Sequence, residues 1–319
     1  MAATTDVKPW RHAALITLGA AALYLALRAL PTGTNLHSGD FRVAGAGALE
    51  LCDPANPQFV PVVAARSPVT MTVAPQPKAG ANHFLVRLAT STGKPIGPAE
   101  LLEVHTRKLH LLIVDDTLGD YQHVHPEPTR NPGEWAFAFA PMRTAAYRVF
   151  ADFTPVVTGR SLYAGADIAV TAARRGAAQA GESTPAWPAE TWRTERDGFV
   201  FQLTPAARPV RAGQPEDLVF NVARSDGEAT TLEPVMGALA HLVAFDSERG
   251  GFAHLHPNPT NATGASEPKL TAPAATPNAA GESLAFKLTI PRAGRYVIWA
   301  QVKLAGREVF APFWFEVAP

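Results

Sequence analysis

The chain has 319 residues, 47% of them apolar and 18% charged, which excludes wholesale disorder and leaves room for two ordinary domains. Formal net charge is zero, so the basic excess of a nucleic-acid binder is missing and no nucleic-acid partner is expected. A single cysteine, Cys52, excludes an internal disulfide and any multi-thiolate zinc or iron–sulfur site, while 29 prolines and 24 glycines favour short strands joined by turns.

Residues 13–27, AALITLGAAALYLAL, carry no charge and with their flanks approach the ~20 residues that span a bilayer. Lys8 and Arg11 precede the run, and positive flanks stay cytoplasmic. The expectation is a cytoplasmic N-terminus (1–11) and a transmembrane signal anchor (12–30), with Arg28 snorkelling to the headgroups. A cleaved signal peptide is the rival, but Leu27-Arg28-Ala29-Leu30-Pro31 is a poor small-x-small cleavage site. The expected address is a single-pass inner (cytoplasmic) membrane protein with its C-terminal bulk in the periplasm. A lead-in segment follows (31–66), in which Cys52 reads as a small half-buried hydrophobe.

The rest of the chain repeats itself. HLLIVDDTLGDYQHVHPEP (110–128) aligns without a gap to HLVAFDSERGGFAHLHPNP (241–259). His110, His123 and His125 match His241, His254 and His256, and Asp115 and Gly119 match Asp246 and Gly250. Downstream, WAFAFAPMRTAAYRVFADF (135–153) aligns with LAFKLTIPRAGRYVIWAQV (284–302). Two modules follow, at 67–172 and 199–319, joined by a linker (173–198). An Ala/Pro/Thr-rich insertion of the second (260–281) reads as a mobile loop.

Stretches such as 84–88 and 147–153 alternate with period two and are rich in β-branched and aromatic residues. The expected fold is all-β: two immunoglobulin-like or cupredoxin-like sandwiches behind one N-terminal transmembrane helix, with a small barrel as the alternative for each module. Residues 110–114 and 121–125 should form one hairpin, its turn built on Gly119, and Gly250 should serve the second copy. That folding sets His110 nearly opposite His125, with His123 on the same face. Three imidazoles then crowd one face and can ligate one ion at ~2 Å, leaving a fourth position open. Asp115 and Asp246 are the candidate outer partners of the ligating histidines. His105 and Met236 occupy matching positions and are candidate additional ligands, an imidazole in one copy and a thioether in the other.

HLLIVDDTLGDYQHVHPEP followed by GEWAFAFAPMRTAAYRVFADFTP resembles the YtkA-like and related small secreted bacterial domains, which recur in proteins linked with heavy-metal and copper handling. The second copy, EPVMGALAHLVAFDSERGGFAHLHP, is similar to a sister form, and both share H-L-x(11)-H-x-H-P. The resemblance implies an immunoglobulin-like sandwich and a bacterial envelope location. The leading reading is a metal-binding or metal-delivery protein, with copper as the preferred ion, zinc next, and an envelope metal-handling or membrane protein as partner. Alternatively the histidines brace the hairpins, no cofactor is held, and the tandem sandwiches serve structure or interaction. A third reading is a three-histidine metalloenzyme. No general base, nucleophile elbow, P-loop or dinucleotide fingerprint stands out, so catalysis is not expected.

Overall fold

The computed structural model describes residues 9–29, 36, 41, 59, 67–76, 82–170, 187–228, 230–258 and 283–319. Cys52, the 260–281 insertion, most of the 31–66 lead-in and most of the 173–198 linker lie outside the described residues. One α-helix, α1 (Pro9–Ala29), comes first, and its stretch Trp10–Leu27 is largely apolar and exposed. Length and composition allow it to cross a membrane.

Among the described residues after α1 the chain is built on β-strands, with a short 3-10 turn at Pro98–Glu100. The first module holds β1 (Val69–Pro75), β2 (His83–Thr90), β3 (Leu109–Asp115), β4 (Tyr121–Val124), β5 (Glu127–Pro128), β6 (Glu134–Ala138), β7 (Ala145–Phe153) and β8 (Leu162–Val170). The second holds β9 (Arg193–Arg196), β10 (Phe199–Pro205), β11 (Val210–Arg211), β12 (Pro215–Arg224), β13 (Ala240–Asp246), β14 (Phe252–Leu255), β15 (Ser283–Thr289), β16 (Gly294–Leu304) and β17 (Arg307–Ala318). Sheets ordered β1-β2-β6-β5 and β4-β3-β7-β8 sandwich one core, which includes Val86, Leu88, Trp135 and Tyr147. Sheets ordered β15-β12-β10-β9 and β11-β17-β16-β13-β14 sandwich the other, around Phe201, Phe220, Phe286 and Phe313. From the lead-in, Leu36 and Phe41 enter the first core, whereas Phe59 enters the second and donates its backbone N–H to Thr289.

A third apolar layer joins the modules. Period-two alternation sends Leu109, Leu111 and Ile113 of β3 into their own core and turns Leu112 and Val114 outward. In β7, Val149, Ala151 and Phe153 point inward and Phe150 outward. The second module repeats the pattern, with Val243, Phe245, Phe252, Val297 and Trp299 facing out. These two outward faces pack on each other: Phe150 lies 5.1 Å from Phe252 and 5.9 Å from Phe245, centroid to centroid, and Trp299 donates its indole N–H to the Leu118 carbonyl at 3.0 Å. β3 and β13 are therefore covered on both faces, which is why they read as nearly continuous apolar runs.

The same alternation places His110 with Leu112, His123 with Tyr121, and Asp152 with Phe150, all on the inter-module face. His241, His254 and Gln301 share the facing surface. Truncating Phe150, fully buried in this layer, removes a ring from a packed interface. Phe150→Ala should cost about 3–5 kcal/mol in denaturant unfolding while leaving the far-ultraviolet β signature intact. A loss below about 1 kcal/mol would contradict a packed inter-module layer.

Candidate metal centre

Each histidine hairpin has the expected register. Leu111 faces Val124 and Leu112 faces His123, so His110 comes opposite His125. Leu242 faces Leu255 and Val243 faces His254, so His241 comes opposite His256. The turns differ from the expectation in one respect. Leu118 and Arg249, at φ 59° and 54°, take the left-handed position, and not the glycines that follow them. The glycines instead sit close against the turn side chains: a Cβ on Gly250 would sit 3.0 Å from an Asp246 carboxylate oxygen, and one on Gly119 would sit 3.1 Å from the Thr117 hydroxyl.

Asp115 and Asp246 are consequently turn residues, not partners of the histidines. Asp115 accepts from the backbone N–H of Asp120 (3.0 Å) and from the Thr117 hydroxyl (2.5 Å). Asp246 accepts from the Gly250 N–H at 2.5 Å. A carboxylate that close to its own turn amides gains more from them than from a more distant ring.

His110, His123 and His125 each offer a ring nitrogen, all within 4.8 Å of one another, and His241, His254 and His256 do the same. Ring centroids are 4.9–5.3 Å apart in the first triad and 4.7–5.4 Å in the second. The hydrogen bonds around the rings decide where their protons sit. His110 Nε2 lies 3.0 Å from the Val104 carbonyl, which only accepts, so this nitrogen carries the proton. His123 Nδ1 lies 2.9 Å from Gln301 Oε1, and the Gln301 amide is oriented by donating Nε2–H to Glu308 at 2.8 Å. His123 Nδ1 therefore carries the proton too.

A neutral imidazole has one N–H. That leaves His110 Nδ1 and His123 Nε2 bare, and they face each other at 3.1 Å. The second triad repeats this: His241 Nε2 donates to Val235 (2.9 Å), His254 Nδ1 donates to Asp152 (3.0 Å), and the two bare nitrogens stand 3.2 Å apart. Nε2 of His125 and of His256 is buried with no hydrogen-bond partner among the described residues. Two nitrogens bound to one tetrahedral ion at 2.0–2.1 Å are themselves separated by about 3.3 Å, so the spacing fits a shared ion.

The partners that orient His123 and His254 come from the opposite module. Asp152 pairs with His110 across β3 and β7, and Gln301 pairs with His241 at the equivalent place across β13 and β16. Each reaches over the interface, and the triads abut, with His123 and His254 centroids 5.2 Å apart. His105 and Met236 occupy matching two-residue turns, His105-Thr106 (φ 50°, 67°) and Met236-Gly237 (φ 51°, 80°), closed by bridges between Val104 and Arg107 and between Val235 and Ala238. His105 joins neither triad. It stacks on His256 of the other module at 3.6 Å, interplanar angle 23°, and so holds that ring rather than sharing an ion with it.

Burial holds the six triad imidazoles below the ordinary histidine range. His125 falls to about 3 and His241 to about 4; His110 is lowered, and His123, His254 and His256 are lowered strongly, with neighbouring imidazoles adding to the effect. Burial pushes the Asp152 carboxyl the other way, up to about 6, against the pull of His110 and His105. At neutral pH the centre is thus a set of neutral imidazoles with one carboxylate, the protonation state in which histidine binds metal.

Comparison with known proteins adds a family but no activity. Residues 64–171 and 194–319 each match the model described as "Domain of unknown function (DUF8832)", and the chain belongs to that family as a tandem pair. The match carries no mention of copper handling. No curated protein matches. Among solved structures, red sea bream transglutaminase is 9% identical over 80% of this chain and 32% of that one, with a TM-score of 0.23. A DUF4785 family protein from Legionella pneumophila is 6% identical over 79% and 57%, with a TM-score of 0.22. The fibronectin(III)-like modules of Clostridium thermocellum CbhA are 10% identical over 78% and 94%, with a TM-score of 0.19. The chain spans about a third of the transglutaminase and just over half of the Legionella protein.

The lowered imidazoles predict the acid response of the metal-free chain. Unfolded histidines take up protons near pH 6.5, whereas the buried ones do not until much lower, so stability is full above about pH 6.5 and falls as pH drops towards 4. Asp152, raised to about 6 in the folded chain, opposes this as pH falls, as do the raised carboxyls of Asp115, Glu216 and Asp246, but they are four groups against the six triad imidazoles. The melting temperature should fall steadily between pH 6.5 and 4.5. A flat profile would mean that the rings are not held neutral.

Proposed function

We propose that this protein is a membrane-anchored, extracytoplasmic metal-binding protein with one three-histidine seat per module, copper preferred and zinc next. The observation that carries the reading is the pair of bare imidazole nitrogens facing each other at 3.1 Å in one module and 3.2 Å in the other. Two lone pairs at that distance repel unless a cation lies between them. A proton is the poorer candidate, because an imidazolium there would be buried among imidazoles, with the neutral Gln301 amide against the first triad and the single Asp152 carboxylate against the second. A divalent ion held by three neutral imidazoles satisfies both nitrogens and the unpartnered Nε2 of the third ring.

Copper heads the order because imidazole suits it and because, among first-row divalent ions, Cu(II) binds nitrogen sites most tightly. A membrane-held carrier or store fits α1, with Lys8 and Arg11 keeping the N-terminus cytoplasmic and the modules outside. The open fourth position would let a partner's donor atom take part in transfer. We assign binding rather than catalysis: Asp152, the carboxylate against the triads, is engaged by the His254 Nδ1–H.

One observation favours the bracing alternative: the same histidines make the crossed bonds between modules, His123 to Gln301 and His254 to Asp152. Metal analysis of the full chain in detergent, after equilibration with copper and removal of loose ion, separates the readings. Wild type should hold two copper ions per chain, and His123→Ala/His254→Ala should hold at most one tenth of that. An empty wild type, or a double variant that binds as well but melts lower, would leave the histidines as braces.

A further inference from the structure

The two triads match in backbone and ring geometry, so the places where they differ stand out. The residue facing the first histidine across the sheet is Asp152 in one module and Gln301 in the other. Both leave their own module and accept the Nδ1–H of the other module's middle histidine, at 3.0 and 2.9 Å. Both fix the same tautomer and aim the same Nε2 at the site. The difference between them is charge. Asp152 delivers a carboxylate to His254, and Gln301 delivers a neutral amide to His123, its own NH2 being engaged by Glu308.

From this we infer that the two metal seats are unequal: His241/His254/His256 is the high-affinity seat, set by Asp152 of the first module, and His110/His123/His125 is the weaker one. The inference rests on the metal-binding reading above. A carboxylate on the far nitrogen makes the ligating nitrogen more basic and places a negative charge near the cation. The amide orients the ring without either effect. His105 acts in the same direction: stacked on His256 at 3.6 Å, it holds the third ring of the Asp152-backed seat in place, whereas a thioether, Met236, stands at the matching turn position. Filling the first seat also puts positive charge beside the second, because the rings of His123 and His254 are only 5.2 Å apart. Asp152 and Gln301 are therefore positioning residues that rank the seats, and duplication followed by one Asp/Gln difference turns two copies of a site into an ordered pair.

The test is a Cu(II) titration of the full chain in detergent against a competing chelator of known affinity. Wild type should take up two ions in separable steps. His254→Ala should remove the tighter step and His123→Ala the weaker. Asp152→Asn keeps the shape and the hydrogen bond, as Gln301 already does with an amide, and should weaken the tight step about 10–100-fold. Gln301→Glu, made together with Glu308→Gln so that the new carboxylate faces an amide, should tighten the weak step by a comparable factor. Thermal melting of each variant without metal reports whether the interface survives, and adding Asp152→Asn to that pair should give two separable steps with the order of His254→Ala and His123→Ala sensitivity reversed. Two ions bound with one affinity, unchanged by Asp152→Asn, would overturn the ranking and leave the metal sites standing. A wild type that takes up no copper would overturn both.

Discussion

A neutral imidazole has one proton to give, and the centre of this protein follows from where that proton goes. In each triad two rings spend it on fixed acceptors: a backbone carbonyl behind the first histidine and a side-chain oxygen from the opposite module behind the second. What remains are lone pairs on two nitrogens that face each other at nearly the same separation in the two modules. A single surface histidine carries no such constraint. Here burial prevents the rings from escaping it by protonation, and the packed inter-module layer prevents them from turning away.

The inter-module layer and the site depend on each other. Strand alternation that turns Leu112, Phe150, Val243 and Trp299 outward also turns His110, Asp152, His241 and Gln301 outward, at one end of the same face. Docking the modules therefore completes each triad with a residue from its neighbour. A lone module would keep three histidines but lose the acceptor that fixes the tautomer of the middle one. This gives a physical reason for the tandem arrangement that the family match shows on both halves of the chain.

Much of the site was legible in the sequence because it is local. The ungapped repeat, the hairpin, and His110 opposite His125 all follow from period-two counting over sixteen residues. What lay across the interface was not. Asp115 and Asp246 are repeated and adjacent to the histidine strands, yet their carboxylates are used by their own turns. The residues that do support the rings, Asp152 and Gln301, occupy one column of the same alignment, a polar position inside an apolar stretch (149–153 and 298–302) in both copies. That was the available signal. The apolar runs 111–114 of β3 and 242–245 of β13 were a second one, since a strand with one wet face would alternate. His105 was visible as a histidine but not as the ring that stacks on His256, because its contact crosses from one module to the other.

The most direct test of this account is X-ray absorption at the copper edge of the loaded full-length protein. Three imidazole nitrogens per copper at ~2 Å, with the outer-shell scattering of histidine rings, is the predicted result. A shell dominated by oxygen donors, with no imidazole scattering, would place the ion elsewhere and contradict a centre built from these six histidines.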